Sequence, residues 1–88
     1  MERSGETVTV EVRVELKPGV FDAEADSVRK SLGLLGISHV VAVSTARVYR
    51  ISFEAVDPAE AEGLAARAVD RLLANPVIHR VTVSPPVG

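Results

Sequence analysis

Between Val8 and Lys17 apolar and polar residues alternate without a break. Val8, Val10, Val12, Val14 and Leu16 fall on one side, and Thr9, Glu11, Arg13, Glu15 and Lys17 on the other. A period of two predicts a strand with one face in a core and the other in water. Pro18-Gly19 then turns the chain, and Asp22 stands where its carboxylate can cap the free N–H groups of a following helix. Beyond it the period changes. Ala25, Val28, Leu32 and Leu35 recur at steps of three and four, forming one stripe of a helix that Gly36 is suited to end.

The stretch from Val40 to Ala55 is rich in β-branched and aromatic residues and divides near Ala46-Arg47 into two strands. Val41 and Val43 share a face of the first, while Tyr49, Ile51, Phe53 and Ala55 share a face of the second. Asp57-Pro58 supplies a cap followed by proline at the first helical position. In the second helix Ala61, Leu64, Ala65, Ala68 and Leu72 form the inward stripe, with Glu60, Arg67 and Arg71 opposite. Asn75-Pro76 ends that helix, and Val77 to Val83 gives a last strand with Val81 and Val83 inward. Pro85 and Pro86 forbid continued pairing, so the fold is expected to end near Ser84.

The predicted order is βαββαβ, and its halves overlay. A shift of 40 residues sets Ala25 on Ala65, Val28 on Ala68, Leu32 on Leu72, His39 on His79, Val41 on Val81 and Val43 on Val83. A shift of 39 sets Val10, Val12, Val14 and Leu16 on Tyr49, Ile51, Phe53 and Ala55. Two interleaved right-handed βαβ units predict an α+β, ferredoxin-like split βαβ sandwich: a four-stranded antiparallel sheet with two helices on one face. The other face mixes polar Thr9, Glu11, Arg13 and Glu15 with apolar Val40, Ala42 and Val48, which points to a partner sheet over part of it.

A chain of 88 residues is read as one domain spanning 1–88, with an ordered core over about 8–84 and short flexible tails. Its apolar fraction of 47% exceeds what one small core hides, so self-association as a homodimer or dimer of dimers is expected. Ten Lys and Arg are interspersed among twelve Asp and Glu, leaving no basic patch for nucleic acid. There is no cysteine, hence no disulfide, thiolate nucleophile or soft metal site. No apolar run is long enough for a membrane span and the N-terminus has no signal-peptide core, so a soluble, unprocessed, cytoplasmic protein is expected.

Candidates for chemistry are few. Ser38-His39 and His79 with Ser84 are the only hydroxyl–imidazole pairs, and neither has an acid beside it in sequence to orient the ring. The two histidines stand forty residues apart, unlike the close spacing of zinc motifs. Asp22, Glu24 and Asp26, like Glu60 and Glu62, sit in first helical turns, where the macrodipole favours negative charge. Lys17-Pro18-Gly19 reads as a turn rather than a phosphate cradle, because proline removes a donor. No catalytic, cofactor-binding or metal residue is expected, which favours a binding, bridging or regulatory role over an enzyme.

Several segments taken in order carry a resemblance to a known family: Lys17 to Asp22, Ser31-Leu32-Gly33-Leu34-Leu35-Gly36, Val43 through Ile51, and above all Leu72-Leu73-Ala74-Asn75-Pro76-Val77-Ile78-His79. Together they resemble PurS, the small subunit of phosphoribosylformylglycinamidine synthase, from about Val8 to Val83. The resemblance implies a ferredoxin-like fold, dimerisation through sheets and a place in de novo purine synthesis. It further implies a non-catalytic subunit that bridges a PurQ glutaminase, which releases ammonia, and a PurL synthetase, which uses ATP and Mg. This chain would hold no cofactor itself. Lys17, Gly19, Asp22, Arg47, Asn75, Pro76 and His79 are the motif or partner-contact candidates. Asp22-Ala23-Glu24-Ala25 and Ala46-Arg47 depart from the family's usual Asp-Pro-x-Gly and Gly-Lys. A different reading of the same fold is a stand-alone regulatory domain that binds a small metabolite at a dimer interface.

Overall fold

The computed structural model describes residues 7–54 and 56–87. Its elements are β1 (Thr7–Leu16), α1 (Ala23–Leu34), β2 (Ala46–Glu54), α2 (Pro58–Ala68) with a π-helical turn over Val69–Leu73, and β3 (His79–Val83). β1 is the central strand, with β2 and β3 antiparallel on its two sides. The alternation read from the sequence sets this position: Val10 and Val12 have no exposed surface, and Val8 and Val14 are buried beside them.

α2 covers that face through Ala61 and Ala65, both fully buried. Two alanines at this contact let the helix approach the sheet closely, and burial of each central valine contributes about 1.5–3 kcal/mol. Asp57 caps α2 by accepting the Glu60 N–H at 2.8 Å, and Pro58 occupies the first turn, as expected.

The opposite face is a polar ladder. The Thr9 and Ser52 hydroxyls are hydrogen-bonded at 2.8 Å, the Arg50 Nε lies 3.0 Å from the Glu11 carboxylate, and Arg80 lies 3.5 Å from Glu15. Each of these pairs is directly opposed in the strand register. Val40 and Ala42, assigned to this face from sequence, are outside the sheet.

That last point corrects the expected four strands. Among the described residues the sheet has three, and the segment Val40–Val43 is unpaired. From Val40 to Thr45 the backbone has neither turn nor bend and leads directly into β2. A segment that continues into β2 cannot also lie beside it.

α1 departs from expectation for the same reason. It does not join α2 on the sheet, has no extended packing contact with any other element, and buries only Ala25. With the returning segment 37–45 it forms an arm. The radius of gyration is accordingly 17.5 Å, against about 12 Å for a compact chain of this length. The α1 cap and stop are as predicted: Asp22 caps it, and Gly36 at φ 79° closes it with Gly36 N–H to Gly33 and Ile37 N–H to Leu32.

Two further expectations change. Leu72 was assigned inward but is 81% exposed, whereas Leu73 packs on the core. The π turn, closed by Ala74 N–H to Val69 C=O, adds one residue and rotates the stripe by that much. The fold also continues past Ser84. Pro85 and Pro86 interrupt pairing, but Val87 exchanges hydrogen bonds with Thr9 in both directions, at 2.7 and 2.9 Å. Ala55 and the residues before Thr7, including the expected N-terminal tail, lie outside the described residues.

Candidate functional site

Where α2 ends, Asn75 organises the chain. Its N–H donates to His79 Nδ1 at 2.9 Å, its side-chain oxygen accepts the Val77 N–H at 2.9 Å, and its carbonyl accepts the Ile78 and His79 N–H groups at 3.1 and 2.8 Å. Pro76 fits the second position of this tight turn, where its fixed φ is already suitable. The turn is tied to the end of β1: Lys17 donates its N–H to Ile78 C=O at 2.9 Å and its ammonium to Pro76 C=O at 2.7 Å. Lys17, Asn75, Pro76 and His79 thus form one hydrogen-bonded knot. Because His79 Nδ1 accepts, the network assigns the neutral ring's proton to Nε2.

Asp22 makes a second junction. Oδ1 accepts the Ala25 N–H at 2.9 Å, capping α1, and Oδ2 accepts the Thr45 hydroxyl at 2.6 Å. The root of the arm is therefore closed between the start of α1 and the start of β2. The Thr45 hydroxyl, and then the Ala25 N–H, stabilise the charged carboxylate and hold Asp22 below its ordinary value.

Between the knot and this junction lies a cleft of about 660 Å³, with Asp22, Glu24, Arg47, Tyr49, Leu73 and His79 among its walls. It offers two carboxylates, a guanidinium, an imidazole and a phenol beside a small apolar floor, a set suited to recognition by charge and hydrogen bonding. No group of three His, Asp or Glu able to hold a metal ion occurs among the described residues.

The structure thus gathers six of the seven candidate residues around one region: Asp22 and Arg47 share the cleft with His79, and Lys17, Asn75 and Pro76 lie behind it. Gly19 stands apart. It takes φ 89° in the turn closed by Val20 N–H to Lys17 C=O, beside a second, shallower groove that Phe21, Arg29 and Val41 also line. Sequence reasoning missed Thr45 and Tyr49. The alternation of β2 put Tyr49 on the helix-facing side, but only the fold shows that this end is left open.

The family model described as PurS, phosphoribosylformylglycinamidine (FGAM) synthase, matches residues 9–85. The chain is 45% identical over 73 residues to phosphoribosylformylglycinamidine synthase subunit PurS of Archaeoglobus fulgidus, covering 83% of this chain and 91% of that one. It is 39% identical over 79 residues to the PurS subunit of Methanothermobacter thermautotrophicus, covering 85% and 88%. Among solved structures, Thermus thermophilus PurS superimposes with a TM-score of 0.79 at 30% identity, over 94% of this chain and 98% of that one. A chain of the Thermotoga maritima PurLQS structure shares the fold, with a TM-score of 0.79 over 90% and 96% of the two chains, at 19% identity.

Proposed function

Because the chain belongs to the PurS family of phosphoribosylformylglycinamidine synthase subunits, which act in purine biosynthesis, we propose that it is the bridging subunit of that ligase. In this reading it makes no bond itself. It holds a PurQ glutaminase against a PurL synthetase, so that ammonia from glutamine reaches the FGAR amide without being diluted or protonated in solvent. ATP and magnesium belong to the synthetase, and the assembly works in the cytoplasm. No helix among the described residues is long and apolar enough to cross a membrane.

The observation that carries the proposal is the family match over residues 9–85 together with what the motif residues do in the fold. Asn75, Pro76, His79 and Lys17 spend their hydrogen bonds on one another, shaping a surface instead of presenting a reactive group. The cleft beside them, with Arg47, Asp22 and Glu24 among its walls, is the contact surface we assign to a partner subunit. The ferredoxin-like, four-stranded form of the fold belongs to the same proposal. On β1, α2 and β3 already stand as the sequence repeat would have α1 and Val40–Val43 stand on β2.

Reconstitution tests it. FGAM formation from glutamine should require PurL, PurQ and this chain together, while free ammonium at high concentration should support turnover by the synthetase without it. Undiminished glutamine-dependent turnover in its absence overturns the proposal. Saturable binding of an amino acid or nucleotide in the cleft, with no effect on the synthetase, would favour a metabolite-binding regulator instead.

A further inference from the structure

We propose that the outer edge of β3 takes a strand from a catalytic subunit of the ligase. The incoming segment is extended, apolar on the side of α2 and acidic on the other, and it prolongs the sheet beyond β3 by backbone pairing. This pairing rests on the bridging role proposed for the chain and gives that role a backbone contact.

The ladder between β1 and β3 fixes which backbone groups are left over. Val12 stands opposite Val83, Arg13 opposite Thr82, Val14 opposite Val81 and Glu15 opposite Arg80. Just beyond the ladder's ends, Ser84 N–H donates to Glu11 C=O and Lys17 N–H to Ile78 C=O, both at 2.9 Å. Hydrogen-bonded and non-bonded pairs alternate in an antiparallel ladder, so Arg80 and Thr82 turn their N–H and C=O groups toward β1. Val81 and Val83 turn theirs outward. Among the described residues no strand lies on that side, because the sheet order is β2-β1-β3.

The free stretch has definite ends. His79 N–H is taken by Asn75 C=O at 2.8 Å, Ser84 faces back to β1, and Pro85 has no N–H to offer. What remains is a row made of His79 C=O and both backbone groups of Val81 and Val83, with successive donors about 7 Å apart. Within β3 there is neither a proline nor an inward-pointing charge, two of the devices that commonly guard an edge.

The side chains beside this row describe the strand it suits. Val81 and Val83 pack on the core and continue its apolar layer to the edge. Outside the arm and β2 the exposed large hydrophobic residues are Leu72, Val77 and Val87. Val77 stands two residues before β3 and Val87 four residues after it, so uncovered apolar surface gathers at both ends of the same strand. On the other face Arg80 and Arg13 lie 3.5 and 3.7 Å from the one carboxylate of Glu15, and more than half of each arginine side chain is exposed. Two guanidiniums sharing one carboxylate leave a positive surplus that an acidic residue on the incoming strand answers. A second β3 in the same place would instead bring the Arg80 side chains of two copies onto neighbouring positions of one face. The edge is also continuous with the cleft: His79 lines the cleft with its ring and begins the row with its carbonyl.

Amide hydrogen exchange on the full chain, alone and mixed with PurL, PurQ or both, reads the edge directly. Alone, the Val81 and Val83 N–H groups should exchange rapidly while β1 protects those of Arg80 and Thr82. In the assembled complex exchange at Val81 and Val83 should slow about tenfold or more. Val81→Pro removes an outward N–H that β1 does not use, a change edge strands tolerate, and should weaken association about tenfold or more. Val81→Ala keeps that N–H and should weaken association much less, and Arg80→Glu should weaken it by repelling the acidic residue. Association with unchanged exchange at Val81 and Val83 overturns the proposal and leaves the bridging role standing. No association with either catalytic subunit overturns both. Protection of Val81 and Val83 in the isolated chain that rises with its concentration gives the edge to a second copy and likewise overturns the proposal.

Discussion

His79 Nδ1 accepts the N–H of Asn75 at 2.9 Å, so the imidazole closes the turn that ends the second helix. The ring satisfies the N–H of Asn75, a backbone donor just past the end of the helix that would otherwise be left to water. His79→Ala should then cost about 0.5–1.5 kcal/mol, seen as a fall in Tm of several degrees for a domain of this size. Glutamine-dependent turnover of the reconstituted complex at a permissive temperature should be retained. Loss of turnover with an unchanged Tm would reverse this assignment.

Asp22 gives a pH dependence with a definite sign. Its carboxylate is held below its ordinary value by the Thr45 hydroxyl and the Ala25 N–H. Folding therefore favours the charged form, and the stability it contributes is present above the unfolded value and is lost as the pH falls through the folded one. Asp22→Asn keeps the capping oxygen and removes the charge. The Tm difference between the natural chain and this variant should be largest near neutral pH and shrink below the carboxylate range; a constant difference from pH 7 to pH 3 would contradict the assignment.

Ala65 is fully buried between α2 and β1. Ala65→Leu forces extra methylenes into a closed contact and should cost about 1–3 kcal/mol, measured as a lower urea midpoint. Ala66→Leu, on the exposed side of the same helix, should change the midpoint little.

Gly36 ends α1 at φ 79°, and a Cβ built there meets nothing within 4 Å. The expected cost of Gly36→Ala is therefore conformational, about 1–2 kcal/mol. Gly33, in a helical conformation and equally open, provides the contrast: Gly33→Ala should stabilise the chain by roughly 0.5–1 kcal/mol. Equal effects of the two changes on Tm would contradict this.

The sequence made local structure legible where a single period ruled. Strict alternation from Val8 to Leu16 identified the central strand and its buried face, and Asp22, Asp57, Gly36 and Asn75 marked helix ends that the structure keeps. It was less informative where neighbours decide the outcome. Val40–Val43 has strand composition, but pairing needs a free edge within reach, and its own β2 is out of reach. The inward place of Leu72 assumed 3.6 residues per turn, and one π turn gave that place to Leu73. For the site, Asn75-Pro76 and His79 were visible as a motif, but nothing local linked Lys17 to Pro76 or Thr45 to Asp22. Those contacts join residues 59 and 23 positions apart and come only from the fold.

The bridge between Val87 and Thr9 has a consequence for engineering. It brings the last described residues beside the start of β1, so the first and last described residues lie as neighbours at one end of the sheet. A short linker can join them, and the chain can be reopened at the tip of the arm between Gly36 and Ile37 as a circular permutant. In that permutant every strand keeps its register, but α1 and the segment entering β2 become separate tails. New ends could then carry probes at the outer limit of the arm, far from the buried valines of β1.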